Sequence, residues 1–165
     1  ACIGDVSGDP PVVYGVDLAK SIDWTVVVGL DDTGAVCRLD RYQWPWEETV
    51  RRLAQEIGTT PAIVDSTGVG DPIVERLQRE LPNVEGYHFS STSKQKLMEG
   101  LAMAIQTGEV RYPQGVIVSE LDVFAYEYTR TGVRYSAPDG MHDDCVMALA
   151  LAVYGRTGAP GVGVW

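Results

Sequence analysis

Acidic residues at the ends of apolar segments constrain this chain more than any other feature of its sequence. Asp17 closes the strand-like run Val-Val-Tyr-Gly-Val, and Asp65 closes a second run, Ala-Ile-Val. An acidic pair, Asp143 and Asp144, opens an apolar helical stretch near the other end. Ionised carboxylates buried together are costly unless a cation lies among them. The pattern therefore predicts that they meet around bound metal ions, as in a metal-dependent phosphodiesterase.

The composition allows one domain and sets a limit on how the chain could hold nucleic acid. Its 165 residues, 45% of them apolar, are enough for one domain with a full core but too few for two ordinary domains. The 13 Lys and Arg against 23 Asp and Glu give a net charge of −10. This sign opposes general attraction to phosphates, so tight binding of DNA must come from elsewhere.

The cysteines and the apolar segments indicate a cytoplasmic protein. Cys2, Cys37 and Cys145 form no C-x-x-C pair, which favours neither a disulfide framework nor a zinc site and fits a reducing compartment. No basic and apolar leader opens the chain, and no apolar run approaches the roughly 18 residues that span a bilayer. The first residue is not Met, and a Gly/Pro-rich segment follows it. We therefore expect a fragment of a longer polypeptide that is not secreted.

The order of the predicted elements indicates a mixed sheet. Two strand-like runs flank the turn Asp-Asp-Thr-Gly at 31–34, which with the Asp17 strand predicts an antiparallel meander. A helix that stops at Gly58 leads to the Asp65 strand. A helix capped by Asp71, with Pro72 at its first position, leads on to a fifth strand and completes a βαβ unit. The remaining predicted elements are a helix ending at Gly108, an amphipathic stretch around Ile117, a small hairpin over 126–136 and a last helix from near Met141 to a stop at Gly155.

This order predicts an α/β fold with a mixed five-stranded sheet, helices on both faces and a small auxiliary β-hairpin. It matches the RNase H-like fold, whose first strand is central and carries the first acidic residue. In that fold the second carboxylate ends the fourth strand and the last lies on a helix packed against the sheet. Asp17, Asp65 and Asp144 stand in those places.

Three motifs, taken in order and spacing, make the match more specific. They are Tyr-Gly-Val-Asp-Leu-Ala at 14–19, Val-Asp-Ser-Thr-Gly-Val-Gly-Asp-Pro at 64–72 and His-Asp-Asp-Cys-Val-Met-Ala-Leu-Ala at 142–150, with Ser-Lys-Gln-Lys-Leu at 93–97 between the last two. Together they resemble the nuclease domain of the large terminase subunit of tailed bacteriophages, an RNase H-like, RuvC-like nuclease. The resemblance covers roughly residues 12–155.

The resemblance implies an endonuclease that cuts concatemeric viral double-stranded DNA at the start and end of head filling, in the host cytoplasm. Family members carry an upstream ATPase motor and work with a portal and a small terminase subunit. This sequence has no G-x-x-x-x-G-K-[ST] phosphate loop. We therefore expect residues 1–165 to form a single nuclease domain, cut from the C-terminal part of a longer chain, with the motor absent.

The expected chemistry uses two divalent ions, held about 3.5 to 4 Å apart by a carboxylate cluster with one bridging member. Asp17, on the central strand, is the best candidate for the bridge. Asp65 would bind one ion, and Asp144 with Asp143 would complete the other. Oxygen ligands favour Mg²⁺ or Mn²⁺. Each carboxylate also has a plainer explanation, as a turn residue after a strand or as a helix cap.

Other polar residues are candidates for the edge of the site. Asp23 is either an outer metal ligand or a solvated loop carboxylate. His142 either contacts a metal-bound water or the scissile phosphate, or caps a helix. Lys20, Lys94 and Lys96 are candidate DNA phosphate contacts, although lysines on helices are usually just solvated.

Three alternatives to the terminase nuclease stay open. A sugar-kinase or actin-like half-domain shares the fold, but it binds ATP phosphates with glycine-rich turns, and residues 18–23 lack glycine. A Holliday-junction resolvase of the same fold acts as a dimer with a basic face, which the net charge of −10 disfavours. A docking module without enzymatic activity would fit if the carboxylates did not converge.

Overall fold

A computed structural model of the chain describes residues 6–18, 24–67, 70–122 and 144–157. These residues contain a five-stranded sheet in the order β3-β2-β1-β4-β5. Its strands are β1 (Val13–Asp17), β2 (Thr25–Leu30), β3 (Val36–Tyr42), β4 (Ala62–Asp65) and β5 (Val84–Tyr87). The first three are antiparallel neighbours, and β4 runs parallel to both β1 and β5. The predicted meander and βαβ unit are confirmed.

Helices cover both faces of this sheet, as the sequence predicts. They are α1 (Trp46–Ile57), α2 (Gly70–Glu80), α3 (Ser91–Thr107), α4 (116–122) and α5 (Asp144–Thr157). One buried core joins α1 and α2 to the sheet, and a second joins α3, α4 and α5 to the opposite face. The sequence therefore folds into the three layers expected of an RNase H-like domain.

The alternation of side chains along β1 explains how one strand serves both cores. Tyr14 and Val16 belong to the core under α1 and α2, whereas Val13 belongs to the core under α5. Because successive strand residues point to opposite faces, Gly15 and Asp17 share the α5 face with Val13. The last residue of the strand is therefore turned toward α5.

Capping residues define the ends of the predicted helices. Ser90 accepts a hydrogen bond from the Ser93 N–H and forms a reciprocal capping box with that residue at the start of α3. Gly108 ends the same helix in the left-handed conformation, with φ of 73°. Gly58 follows the last residue of α1. The ends at Gly58 and Gly108 match the sequence expectation.

Two predicted helix boundaries are wrong. The last helix does not stop at Gly155 but continues to Thr157. Gly155 lies inside it because a Cβ there would come within 2.7 Å of Val13 Cγ2 and 2.8 Å of Ile63 Cγ1, so only glycine lets the helix lie this close to the sheet. Helix α2 begins at Gly70, one residue before the predicted cap at Asp71.

Some predictions concern residues outside the described ranges. They are the auxiliary hairpin over 126–136 and the start of the last helix near Met141. Within the described part of the chain, no helix combines the length and the apolar character needed to cross a membrane.

Candidate metal centre

Asp17 and Asp65 end two neighbouring parallel strands. The register of β1 and β4 pairs Val16 with Val64, so these aspartates are the next residue on each strand. Adjacent strands lie about 4.8 Å apart. Asp65 follows Ile63, a member of the α5-side core, by two residues, and therefore shares that face with Asp17. The two carboxylates stand side by side at one edge of the sheet.

Close contacts between backbones fix the direction of α5 across this face. A Cβ added to Gly15 would collide with the carbonyl oxygen of Ala148 and the backbone nitrogen of Ala152. Further along α5, Gly155 lies against Val13. As residue numbers rise along the helix they fall along β1, so α5 runs antiparallel to that strand. Its N-terminal end therefore lies toward the edge that carries Asp17 and Asp65.

The same contacts bring Asp144 to the level of the strand aspartates. From Gly15 to Asp17 the strand advances about 7 Å, and from Ala148 back to Asp144 the helix advances about 6 Å in the same direction. Asp17, Asp65 and Asp144 are 7%, 0% and 8% exposed. Three elements that are distant in sequence, β1, β4 and α5, thus place one buried carboxylate each toward the same end of the interface between α5 and the sheet.

Hydrogen bonds in the loop after β4 orient Asp65. The Thr67 N–H donates to Asp65 Oδ1 over 2.9 Å, which closes a turn. The Thr67 hydroxyl oxygen accepts from the Phe89 N–H at 2.7 Å and so ties this turn to the segment after β5. A carboxylate held in this way presents its oxygens in a fixed direction, as metal ligands require.

Glu120 is a buried residue at the site that the sequence analysis does not identify. It lies on α4, is 7% exposed, and its Oε1 accepts hydrogen bonds from the N–H groups of Cys145 (2.9 Å) and Val146 (3.0 Å). It therefore caps the start of α5, directly after Asp144. Burial raises the pKa of Glu120, and the backbone donors oppose that rise. Its position three residues after Ile117, on the apolar face of α4, is the signal that marks it.

A cation also acts on the start of α5. Burial raises the pKa of the Cys145 thiol, and the positive charge of Arg41, on β3, opposes that rise. Arg41 is exposed and is not among the residues that the sequence analysis selects.

A cleft lies beside Asp65 on the α5 side of the sheet. Tyr87, which pairs with Asp65 in the register of β4 and β5, lines it. The cleft has a volume of about 460 Å³. Its other lining residues are Ser90, Thr92, Ser93, Lys96, Leu97 and Tyr154. Lys96 thus stands close to this edge of the sheet, and Lys94 lies on the first turn of the same helix, with its side chain partly buried.

The remaining candidates lie outside the described residues. They are Asp143, His142, Asp23 and Lys20. Their roles therefore stay predictions. Of the sequence-predicted carboxylates, Asp17, Asp65 and Asp144 are buried and lie toward the same edge of the sheet.

The donor atoms, carboxylate oxygens, are of the kind that Mg²⁺ prefers. In the described ranges, no three His, Cys, Asp or Glu side chains come close enough to enclose one ion between them. Mg²⁺ keeps several water ligands and is usually held by only one or two protein carboxylates. Three buried carboxylates spread over one edge suit ions held in that manner better than a closed cage of protein ligands.

Comparison with known proteins identifies relatives over nearly the whole chain. Residues 14–154 match the family model described as the terminase RNaseH-like domain. The large terminase subunit of Thermus phage G20c is 34% identical over 167 aligned positions, which cover 96% of this chain and 34% of that protein. The chain therefore spans about a third of the length of the curated relatives it matches.

Solved structures of the nuclease part of that subunit are similar as well. The large terminase nuclease of phage G20c with bound magnesium is 35% identical, with a TM-score of 0.75, over 90% of this chain and 83% of that one. The form with bound cobalt is 34% identical, with the same TM-score and the same coverage of both chains. The five-stranded sheet and its helices thus match a nuclease fold.

Proposed function

Because this chain belongs to the family of terminase RNase H-like domains, we propose that it is a metal-dependent endonuclease that cuts viral double-stranded DNA during genome packaging. The observation that supports the proposal is the burial of three carboxylates, Asp17, Asp65 and Asp144, on elements whose register and packing direct all three toward one edge of the sheet. Such a group is electrostatically unfavourable without cations.

Two divalent ions, Mg²⁺ or Mn²⁺, are the proposed cofactor, supplying an activated water and charge stabilisation for the leaving oxygen when bound. The relatives from phage G20c were solved with bound magnesium and with bound cobalt. In this chain Asp17, on the central strand β1, would be shared between the ions. Asp65 would hold one ion in an orientation fixed by Thr67. Asp144, at the start of α5, would hold the other together with Asp143.

The neighbouring polar residues have proposed supporting roles. Lys96, beside the cleft at Tyr87, and Lys94 on the same helix would contact DNA phosphates. Lys20 is proposed for the same task. Asp23 and His142 are proposed as an outer ligand and a contact to water or phosphate.

The proposed context is a larger packaging protein. We propose that residues 1–165 are a single nuclease domain that works with an ATPase motor in the same polypeptide and with the portal and small terminase subunit. The motor would hold DNA near the nuclease and raise its effective concentration. This matters because a domain of net charge −10 attracts DNA poorly by itself.

The test is plasmid cleavage by the purified chain. We expect nicking or linearisation of supercoiled plasmid with Mg²⁺ or Mn²⁺ and none with a chelator. Asp17→Asn should lower the rate by about 100-fold or more, the scale on which loss of a preorganised electrostatic contact acts. Asp32→Asn, which removes an exposed carboxylate in the turn between β2 and β3, is the matched control and should cut like wild type. Equal rates for the two variants would disprove the proposed site.

A further inference from the structure

An exposed arginine lies on the same face of the sheet as the carboxylates. Asp17 pairs with Val26 on β2, and Val26 pairs with Arg41 on β3, so the three residues form one row across the sheet. Residues in such a row project to the same face. Two strand spacings separate the Cα atoms of Asp17 and Arg41 by about 10 Å. Arg41 is exposed, whereas the carboxylate end of the row is buried.

An aromatic ring holds the guanidinium group of Arg41 in place. Its Cζ atom lies 4.7 Å from the centroid of the Trp24 ring. Trp24 is itself partly buried against the α5-side core and directly precedes β2. A guanidinium stacked on a ring keeps its edge donors available for a bidentate contact with phosphate. The stack therefore orients a cation before any ligand binds.

The other arginines near this strand are placed differently. Arg38 projects to the opposite face, since a Cβ added to Gly29 on that face would lie 3.1 Å from the Cβ of Arg38. The Arg38 guanidinium donates a hydrogen bond to the carbonyl oxygen of Cys37. Arg52, on α1, forms an ion pair with Asp40 at 3.1 Å. Arg41 is thus the arginine of β3 that faces the same side as the carboxylates.

We propose that Arg41, held on Trp24, binds a backbone phosphate of the DNA strand that is cut. This inference rests on the proposed nuclease function. The 10 Å between Arg41 and Asp17 corresponds to the rise of about three nucleotides along one strand. The contact would fix the register of the strand without reading its bases. In a chain of net charge −10, an ordered cation on the face of the carboxylates adds local attraction for a phosphate.

The experiment compares cleavage kinetics and salt dependence of wild type, Arg41→Ala, Arg41→Lys and Arg38→Ala on a labelled DNA duplex with Mg²⁺. Arg41→Ala should raise KM roughly tenfold, as expected for loss of a charged hydrogen-bonded contact, and leave kcat nearly unchanged. The slope of the logarithm of the affinity for DNA against the logarithm of the salt concentration should become shallower by about 0.9, the value for one phosphate contact. Arg41→Lys should restore the slope, because it restores the charge, and recover KM only in part. Arg38→Ala should match wild type.

Each outcome decides one question. If wild type cuts and Arg41→Ala has the KM and salt slope of Arg38→Ala, the inference is overturned while the nuclease function stands. A fall in kcat with unchanged KM would also overturn it, because a distant phosphate contact acts on binding. If wild type cuts DNA with no metal ion, the proposed function itself fails. Circular dichroism checks folding, and the neutral Arg41→Gln replaces Arg41→Ala should the alanine variant unfold.

Discussion

A carboxylate from another helix anchors the start of α5. Glu120 accepts from the N–H groups of Cys145 and Val146, and so satisfies donors that the helix cannot pair internally. It does so next to Asp144, whose position depends on where this first turn lies. In the proposed site, Glu120 would therefore act through Asp144, as a positioning residue.

Replacing Glu120 separates stability from positioning. Glu120→Ala should lower the free energy of unfolding by about 1–3 kcal/mol, because two buried N–H groups lose their acceptor. In a chain of this size the melting temperature should then fall by about 2–4 °C per kcal/mol. Cleavage should fall too, measured below the melting transition. Glu120→Gln, whose carbonyl oxygen can accept the same bonds, should restore part of both.

Glu109→Ala is the matched control for this prediction, since Glu109 is exposed at the end of α3. Glu109→Ala should change neither the free energy of unfolding nor the cleavage rate appreciably. If Glu120→Ala lost stability but retained full cleavage at low temperature, Glu120 would have a structural role alone.

The sequence predicts the strand carboxylates better than their supports. Asp17 and Asp65 can be predicted from the sequence because a carboxylate at the end of an apolar strand is costly to bury without a cation. The sequence marks Glu120 only by its place on the apolar face of α4, because its role, like that of Arg41, depends on which elements become neighbours. Glu120 lies 25 residues from Cys145, and Arg41 reaches the row of Asp17 through β2. The first relation requires the packing of α4 against α5, and the second requires the register of the sheet.

Among the elements, α5 depends most on glycine. Its backbone lies directly on Gly15 of β1, and its own Gly155 lies on Val13. The sequence suggested that Gly155 ends the helix, since glycine usually marks such ends. Glycine also occurs inside a helix where the helix packs closely on a sheet. That role can be recognised only when the neighbouring strand is known.

Substituting Gly15 should displace α5. Gly15→Ala places a Cβ against backbone atoms of Ala148 and Ala152 that cannot move aside separately. We expect a loss of about 1–3 kcal/mol or more in the free energy of unfolding, as for overpacked cores, and a loss of cleavage as Asp144 shifts. Urea denaturation and plasmid cleavage measure the two effects.

Gly100→Ala is the contrasting substitution, because a Cβ there meets nothing within 4 Å. Gly100 lies inside α3, so alanine should stabilise the protein by about 0.5–1 kcal/mol through helix propensity. If Gly15→Ala behaved like Gly100→Ala, the close approach of α5 to β1 would be wrong.

At the scale of the whole molecule, the order of the elements is predictable because short-range sequence signals mark each helix and strand. Alternating strands, a turn of Asp and Gly, and capping residues such as Ser90 and Gly108 are all short-range signals. The RNase H-like order then places β1 in the centre. The contacts that join the helices to the sheet were not predictable, since they depend on side chains meeting across long separations.

We expect the ionisation of one residue, Glu56, to make the free energy of unfolding depend on pH. Burial, and then the neighbouring Asp40, raises its pKa to about 7 from an ordinary value of 4.5, and Arg52 opposes the rise. The folded state therefore binds a proton that the unfolded state has already released between these values. Stability from this group is highest below about pH 4.5 and is lost as the pH rises to about 7.

Glu56→Gln should remove this loss. At pH 8 the variant should be more stable than wild type by about 1–3 kcal/mol, and near pH 4 the two should be similar. Chemical denaturation across pH 4–8 measures the difference. Glu47→Gln, at an exposed position of the same helix, controls for the change in net charge. A constant difference between Glu56→Gln and wild type at every pH would contradict the prediction.

The order of synthesis gives the position of α5 a biological consequence. A ribosome makes β1 and β4, with their aspartates, well before it makes Asp144, and α5 covers the face on which all three meet. A nascent chain without that helix has an open sheet and lacks one of the three proposed ligands. Under the proposed function, copies still being translated would therefore be unable to cut the DNA around them.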